Sequence, residues 1–346
     1  MTADSGESSD TMRERAAGDT RLLWLLLDAD RWLVTALLSG VLFCGILAVG
    51  LLHPTPALTL LTRGDPVETL FQALITGTIT AVTLVLTLSQ LVLSQELGAA
   101  GDQRERMDGA MQFRADVADA VDAQVSPAEP SAFLRSLVRG TAERADTVQA
   151  AVDDTALDDD LTALLSTYLE DVTSNADRVT DQLEGGTFGE FDVIKAALNY
   201  NYSWKLYVGR RIRESYADEL TDEIDDSLAE LVETLQLFGP AREHFKTLYF
   251  QWELSNLSRT LLYVAIPALT VAVTSLLFLD TQDFVGLTAG VPDVLWLLAV
   301  ATTASVLPFT VLLSYILRIV TITKRTLAIG PFILRETDRS VDVDWE

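Results

Sequence analysis

Cysteine occurs once in this 346-residue chain, histidine twice and lysine four times. Cys44 lies inside a long apolar run, so a disulfide framework and a thiolate metal site are both excluded. His53 and His244 are too few for a zinc or Cys-His constellation. A Walker loop, a dinucleotide glycine fingerprint, a G-x-S-x-G elbow and a kinase signature are also missing. No catalytic, cofactor-binding or metal-ligating residue is therefore nominated, and the chain reads as a non-enzyme. Acidic runs such as Asp158, Asp159 and Asp160, or DELTDEIDD at 218–226, match no calcium loop, and a solvated acidic surface explains them.

Charge is missing from four long stretches. Trp32–Leu52, Phe71–Gln95, Thr260–Leu279 and Val294–Leu317 contain no Asp, Glu, Lys or Arg, and each is close to the ~20 residues needed to span hydrocarbon. The expectation is an all-α integral membrane protein with four transmembrane helices. Coupled transporters usually keep an ionisable group at depth, and these spans hold none, which argues against proton- or sodium-driven transport.

What is abundant is acid. Asp and Glu number 50 against 25 Lys and Arg, giving a formal charge of -25, while 49% of residues are apolar. The apolar and acidic parts must be segregated. Fourteen of the basic residues lie between Arg104 and Lys246, and Arg13, Arg15, Arg21, Arg31, Arg318, Lys324, Arg325, Arg335 and Arg339 flank the outermost runs. The loops at 53–69 and 280–293 carry only Arg63. By the positive-inside rule both termini and the long central segment are cytoplasmic, in a multi-pass protein of the cell membrane. The expected organisation is an N-terminal cytoplasmic tail and interfacial segment (1–31), helices one and two (32–96), an acidic cytoplasmic helical domain inserted between helices two and three (97–257), helices three and four (258–318), and a C-terminal cytoplasmic tail (319–346). Residues 1–20 are mostly acidic and small, and do not read as a cleaved signal peptide.

Within 97–257, apolar residues recur at helical spacing: Phe113, Val117 and Val121; Leu161, Leu165, Tyr168, Val172, Val179 and Leu183; Leu220, Ile224, Leu228, Leu231, Leu235 and Phe238. About five helices are expected, with breaks at SPAEP (126–130), at Gly185-Gly186 and at Gly239-Pro240. The acidity of this segment excludes nucleic acid, whose phosphates it would repel. NYNYSWKLYVGRRIR (199–213) departs from that acidity. It reads either as a contact for lipid headgroups or an acidic partner, or as a core stripe of Tyr200, Trp204 and Tyr207 whose arginines pair with the segment's own carboxylates. From Pro240, in the first turn of a helix, the chain can run uninterrupted into the third apolar run and so couple movement of the central segment to it.

FGPAREHFKTLYFQWELSNLSR and NYNYSWKLY resemble segments of uncharacterised four-span membrane proteins of haloarchaea, a likeness covering most of the chain from the second run onward. The acidic skew has the halophilic style of such proteins. TGTITAVTLVLTLSQLVLSQ is similar to a helix in a broader family of predicted bacterial membrane proteins of unknown function. Neither family brings an activity with it. The layout of two spans, a helical domain and two more spans also resembles bestrophin anion channels, by analogy of architecture only.

The second run poses the functional question. At about 100° per residue, Gln72, Thr76, Thr80, Thr83, Thr87, Gln90 and Ser94 fall within roughly 80° of one another, while Leu74, Ala81, Val85, Leu88 and Val92 make the other side apolar. Thr78, Ser89 and Gln95 fall elsewhere. The arc reads either as a packing seam between helices or as the lining of a polar path. Ala36, Gly40, Cys44 and Ala48, four residues apart in the first run, form a candidate helix-packing seam, and Pro267 and Pro308 are candidate hinges. Two functions remain open. One is a passive channel-like or gated homo-oligomer with helix two lining its path. The other is a membrane-anchored scaffold or sensor whose helical domain binds a cytoplasmic protein partner.

Overall fold

The computed structural model describes residues 20–62, 64–186 and 191–325, with the side chains of 20–23, 95, 96, 324 and 325 set aside. The tail expectations, Arg63 and Gln95 lie outside what is described. The described chain is almost wholly helical, and it divides into two compact units. One is built around residues 98–250, the other from residues 21–97 and 251–322.

The first unit contains α5 (Ala100–Ala120), α6 (Pro130–Asp153), α7 (Asp159–Leu183), α8 (Phe191–Asn199), α9 (Tyr202–Ser215) and the first part of α10 (Asp222–Phe278). Local chemistry sets the helix ends. Glu129 caps α6 by accepting from the Ala132 N–H with Pro130 at the first helical position, and Asp158 caps α7 by accepting from the Asp160 N–H. Gly185, at φ +71°, takes the left-handed conformation just after α7, which suits a residue without Cβ. The periodic residues expected of α7 are all buried, and they meet Leu134, Leu137, Leu228 and Leu235 in one core.

The Gly239-Pro240 break does not occur: α10 passes through both residues. Gly239 is there for close packing, since a Cβ would stand 3.0 Å from the Tyr202 hydroxyl. Pro240 is on the exposed side, and Gln236, whose carbonyl loses its helical donor, is exposed too and can meet water. Pro240 is therefore inside a helix and not in its first turn, and the continuity expected toward the third apolar run extends further back than the sequence indicated.

The second unit contains α1 (Thr20–Leu27), α2 (Arg31–Leu52), α3 (Ala57–Leu61), α4 (Pro66–Glu96), the last part of α10, a two-residue hairpin of β1 (Leu287–Thr288) and β2 (Val291–Pro292), and α11 (Asp293–Arg325). Four helices, α2, α4, α10 and α11, are long and apolar enough to cross a membrane, and α11 is the most buried of them. Val67 and Phe71 of α4 pack with Ala272, Leu298 and Ala301, and Val85 packs with Leu257, Leu261, Val311, Leu312 and Tyr315. Neither Pro267 nor Pro308 interrupts its helix. Pro267 is exposed, whereas Pro308 is buried beside α4.

Candidate functional site

α4 begins after Asp65 with Pro66 in its first turn and continues for 31 residues, all of its polar positions short or neutral until Glu96 except Glu68 in the first turn. Val67, Phe71, Thr78 and Val85 are buried. Their spacing in steps of seven, with Phe71 four residues after Val67, places them on one side of the helix. Gln72, Thr76, Thr80, Thr83, Thr87, Gln90 and Ser94 are all exposed, opposite the buried side of α4, with Thr80 at the edge of a groove against α11. The arc is therefore not a seam within the second unit.

Five of the seven satisfy their donors locally. Thr76 donates to the Gln72 carbonyl, Thr80 to Thr76, Thr83 to Ile79, Thr87 to Thr83 and Ser94 to Leu91, at 2.6–3.1 Å. This back-bonding is the usual way hydroxyls sit in a helix without a partner. It leaves a row of hydroxyl oxygens that can still accept. The two glutamines are also exposed, Gln72 before the row and Gln90 between Thr87 and Ser94.

The off-arc polar residues of the same helix are the ones used for packing. Thr78 is buried, and the Ser89 hydroxyl pairs with that of Ser258 on α10 while donating to the Val85 carbonyl. A shallow apolar groove of about 520 Å3 runs between α4 and α11, lined by Ala73, Gly77 and Ala81 on one side and Val306, Pro308 and Phe309 on the other.

α2 is joined to α11 by hydroxyls. Thr35 donates to Ser314 at 3.2 Å, and Ser39 and Thr310 lie 3.1 Å apart. Further along, Gly50 admits Leu295, whose Cδ1 is 2.6 Å from where a Cβ would be. The proposed stripe of Ala36, Gly40, Cys44 and Ala48 is on the other side of α2: Ala36, Cys44 and Ala48 are exposed, and nothing lies within 4 Å of a Cβ placed on Gly40. α2 thus uses a different seam within the chain.

One group of residues escaped the sequence reading. Arg31, first in α2, pairs with Glu253 of α10 and stacks its guanidinium 4.9 Å from the Tyr315 ring of α11, and Arg318 donates to the Ala29 carbonyl. All four side chains are largely buried. In the sequence Arg31 and Arg318 read only as flanking positive charge. The signal available was Glu253, which stands among aromatics two turns before the third apolar run.

In the first unit, the 199–213 stretch is core. Tyr200, Tyr202 and Trp204 are buried, Tyr207 is half-buried, and fully buried Lys205 reaches Asp171 at 2.6 Å. Tyr168 donates to the Lys205 carbonyl at 3.0 Å, and burial pushes the Tyr168 and Tyr200 phenols upward. Arg213 holds Asp225 through two hydrogen bonds of 2.7 and 2.9 Å, which draw the Asp225 carboxyl below its usual range. Among the described residues, no group of His, Cys, Asp and Glu could hold a metal ion.

A family model described as a family of unknown function (DUF7972) matches residues 1–346. The chain belongs to this family. No curated protein and no solved structure matches this DUF7972 chain. Membership supplies no chemistry, so the case for a role rests on the geometry of α4.

Proposed function

We propose that the protein is an integral membrane homo-oligomer in which the polar arc of α4 faces a passive, channel-like polar path between copies. One observation carries this reading: the arc is exposed along its whole length, and the opposite side of α4 is the side its own chain buries. Gln72 and Gln90 are about 27 Å apart along the axis at ~1.5 Å per residue, near the ~30 Å of a hydrocarbon core, so the arc extends from one side of it to the other. An amide left facing lipid costs several kcal/mol, and cover by protein or water removes that cost. The hydroxyl row is uncharged, as suits a path without a fixed binding site. Topology follows the Lys/Arg bias, with both termini and residues 97–257 cytoplasmic.

The test uses the single native thiol. In a Cys44→Ser background, single cysteines go at Thr80, Thr83 and Thr87 on the arc and at Ala81 and Val85 on the other side. A charged, water-borne thiol reagent needs the thiolate, which hardly forms in hydrocarbon or a tight contact. The arc positions should react and the others should not. Equal inertness of both sets in folded protein would remove the path, leaving a membrane-anchored scaffold whose helical domain binds a partner protein.

A further inference from the structure

The groove between α4 and α11 holds a polar group that neither helix uses. The other seven hydroxyls of α4 each donate to a backbone carbonyl three or four residues earlier. Thr78 does not. It is 8% exposed, it lines the groove, and its hydroxyl has no hydrogen-bond partner among the described residues. On the facing wall Ser305 is buried and donates to the Ala301 carbonyl at 2.7 Å, while Thr80 at the edge donates to Thr76. Thr78 therefore supplies the one unused donor in the lining. The rest of the lining is apolar, with Pro308 and Phe309 on the α11 side, and no ionisable residue belongs to it. Gly77 keeps the groove open, since nothing lies within 4 Å of a Cβ placed there.

We propose that this groove binds a small, neutral, lipophilic molecule carrying a hydrogen-bond acceptor, with Thr78 as the donor that meets it. The site is built by two helices of one chain, so it stands whether or not the α4 arc faces a path. Its volume of about 520 Å3 falls within the roughly 300–1,000 Å3 of ordinary small-molecule sites, which are likewise mostly apolar with a few polar groups that fix orientation. The absence of charge in the lining selects a neutral occupant, because nothing there offsets the desolvation of an ion. Depth selects a lipophilic one. Thr78 lies seven residues after Phe71 and Ser305 eleven after Val294, where the uncharged runs begin, or about 10 and 16 Å along their helices at ~1.5 Å per residue. In a hydrocarbon core of ~30 Å a lipid headgroup stays at the interface, so an acceptor at this depth enters from the hydrocarbon. An acyl chain would fill the volume and leave the Thr78 donor unmet. Water would meet the hydroxyl but not the apolar walls, and apolar cavities stay dry.

The experiment uses the full chain in lipid nanodiscs and a long-chain methyl ketone bearing a diazirine, with adducts located by peptide mass spectrometry. Labelling of residues 73–84 and 305–312 should saturate. The unlabelled ketone should compete more strongly than the alkane of the same length, by roughly threefold to tenfold, the worth of one neutral hydrogen bond. Thr78→Val keeps the shape of the side chain and should abolish that preference without weakening competition by the alkane, whereas Thr78→Ser should retain it. Gly77→Leu fills the groove and should remove labelling by either route. Equal competition by ketone and alkane in the wild type would assign the groove to acyl chains and overturn the proposal. So would a preference that survives Thr78→Val, since another group would then be the donor. Labelling seen in discs holding one copy and lost in discs holding several would give the groove to a second copy of the chain, and no saturable labelling in any disc would leave it without a ligand; either result overturns the proposal.

Discussion

The hydroxyls of Ser39 and Thr310 lie 3.1 Å apart, joining α2 to α11 at a buried position. One turn away Thr35 and Ser314 repeat the arrangement at 3.2 Å. Two such pairs fix the register of the helices, whereas neighbouring leucines would permit sliding. Each contributes modestly, because a hydroxyl that loses its partner can return to a carbonyl of its own helix, and Ser314 and Thr310 already make that bond. A double-mutant cycle on Ser39→Ala and Thr310→Val should give a coupling of about 0.6 kcal/mol, and at most ~1.7. Thermal unfolding in nanodiscs measures it, and a coupling of zero would mean that packing alone sets the register.

The Arg31–Glu253 pair behaves differently, since both groups are ionic and largely buried. Removing one partner strands the other, at a cost of about 3–5 kcal/mol. Glu253→Gln and Arg31→Gln should each lower the unfolding temperature well beyond the loss from an exposed pair such as Arg139–Glu143, whose side chains are 73% and 56% exposed. The double substitution should recover much of the loss. If each single variant matches wild type, solvent reaches the pair and it does not clamp the start of α2 to α10.

Much of this fold was legible because its signals are local. Leu161 through Leu183 repeat at helical spacing and are buried at that spacing, and each uncharged run lies within a long helix. The failure at Gly239-Pro240 has a tertiary cause: the glycine fits against Tyr202, far earlier in the chain, and no local rule sees that approach. The same limit applies to helix faces. The arc on α4 was readable, but its exposure depends on where α10 and α11 pack. Thr35 with Ser39 and Thr310 with Ser314 show the same four-residue spacing that singled out Ala36 and Gly40. Spacing alone could not tell which stripe the chain would use. Arg31 was hidden for another reason, as a positive charge beside a span fits a topology rule whether or not it has a specific partner.

Asp225 gives the first unit a pH dependence of known sign. Hydrogen bonds from Arg213 hold its carboxyl below the ordinary value. An acid with a lowered folded pKa stabilises the fold above its unfolded pKa, and the contribution disappears as pH falls through the folded value. Asp225→Asn should therefore be less stable than wild type at neutral pH, with the difference shrinking below about pH 4. The pair is partly exposed, so the neutral-pH gap should be small and should narrow further in high salt. A gap that widens on acidification would reverse the assignment.

Thr302 supports a prediction in the opposite direction from most core substitutions. It lies in α11 less than two turns before Pro308, is 6% exposed, and its hydroxyl has no hydrogen-bond partner among the described residues. A buried polar atom left in that state costs about 1–3 kcal/mol, and replacing it with an apolar group of the same shape recovers part of that. Thr302→Val keeps the branched shape and exchanges only the hydroxyl for a methyl. It should be neutral or raise stability by about 1 kcal/mol, whereas Thr310→Val, which loses the bond to Ser39, should lower it. Unfolding of both variants in the same nanodiscs makes the comparison. A marked loss for Thr302→Val would show that its hydroxyl has a partner after all, and an ordered water in the turn before Pro308 would be the first candidate, because proline leaves the Ala304 carbonyl without its helical donor.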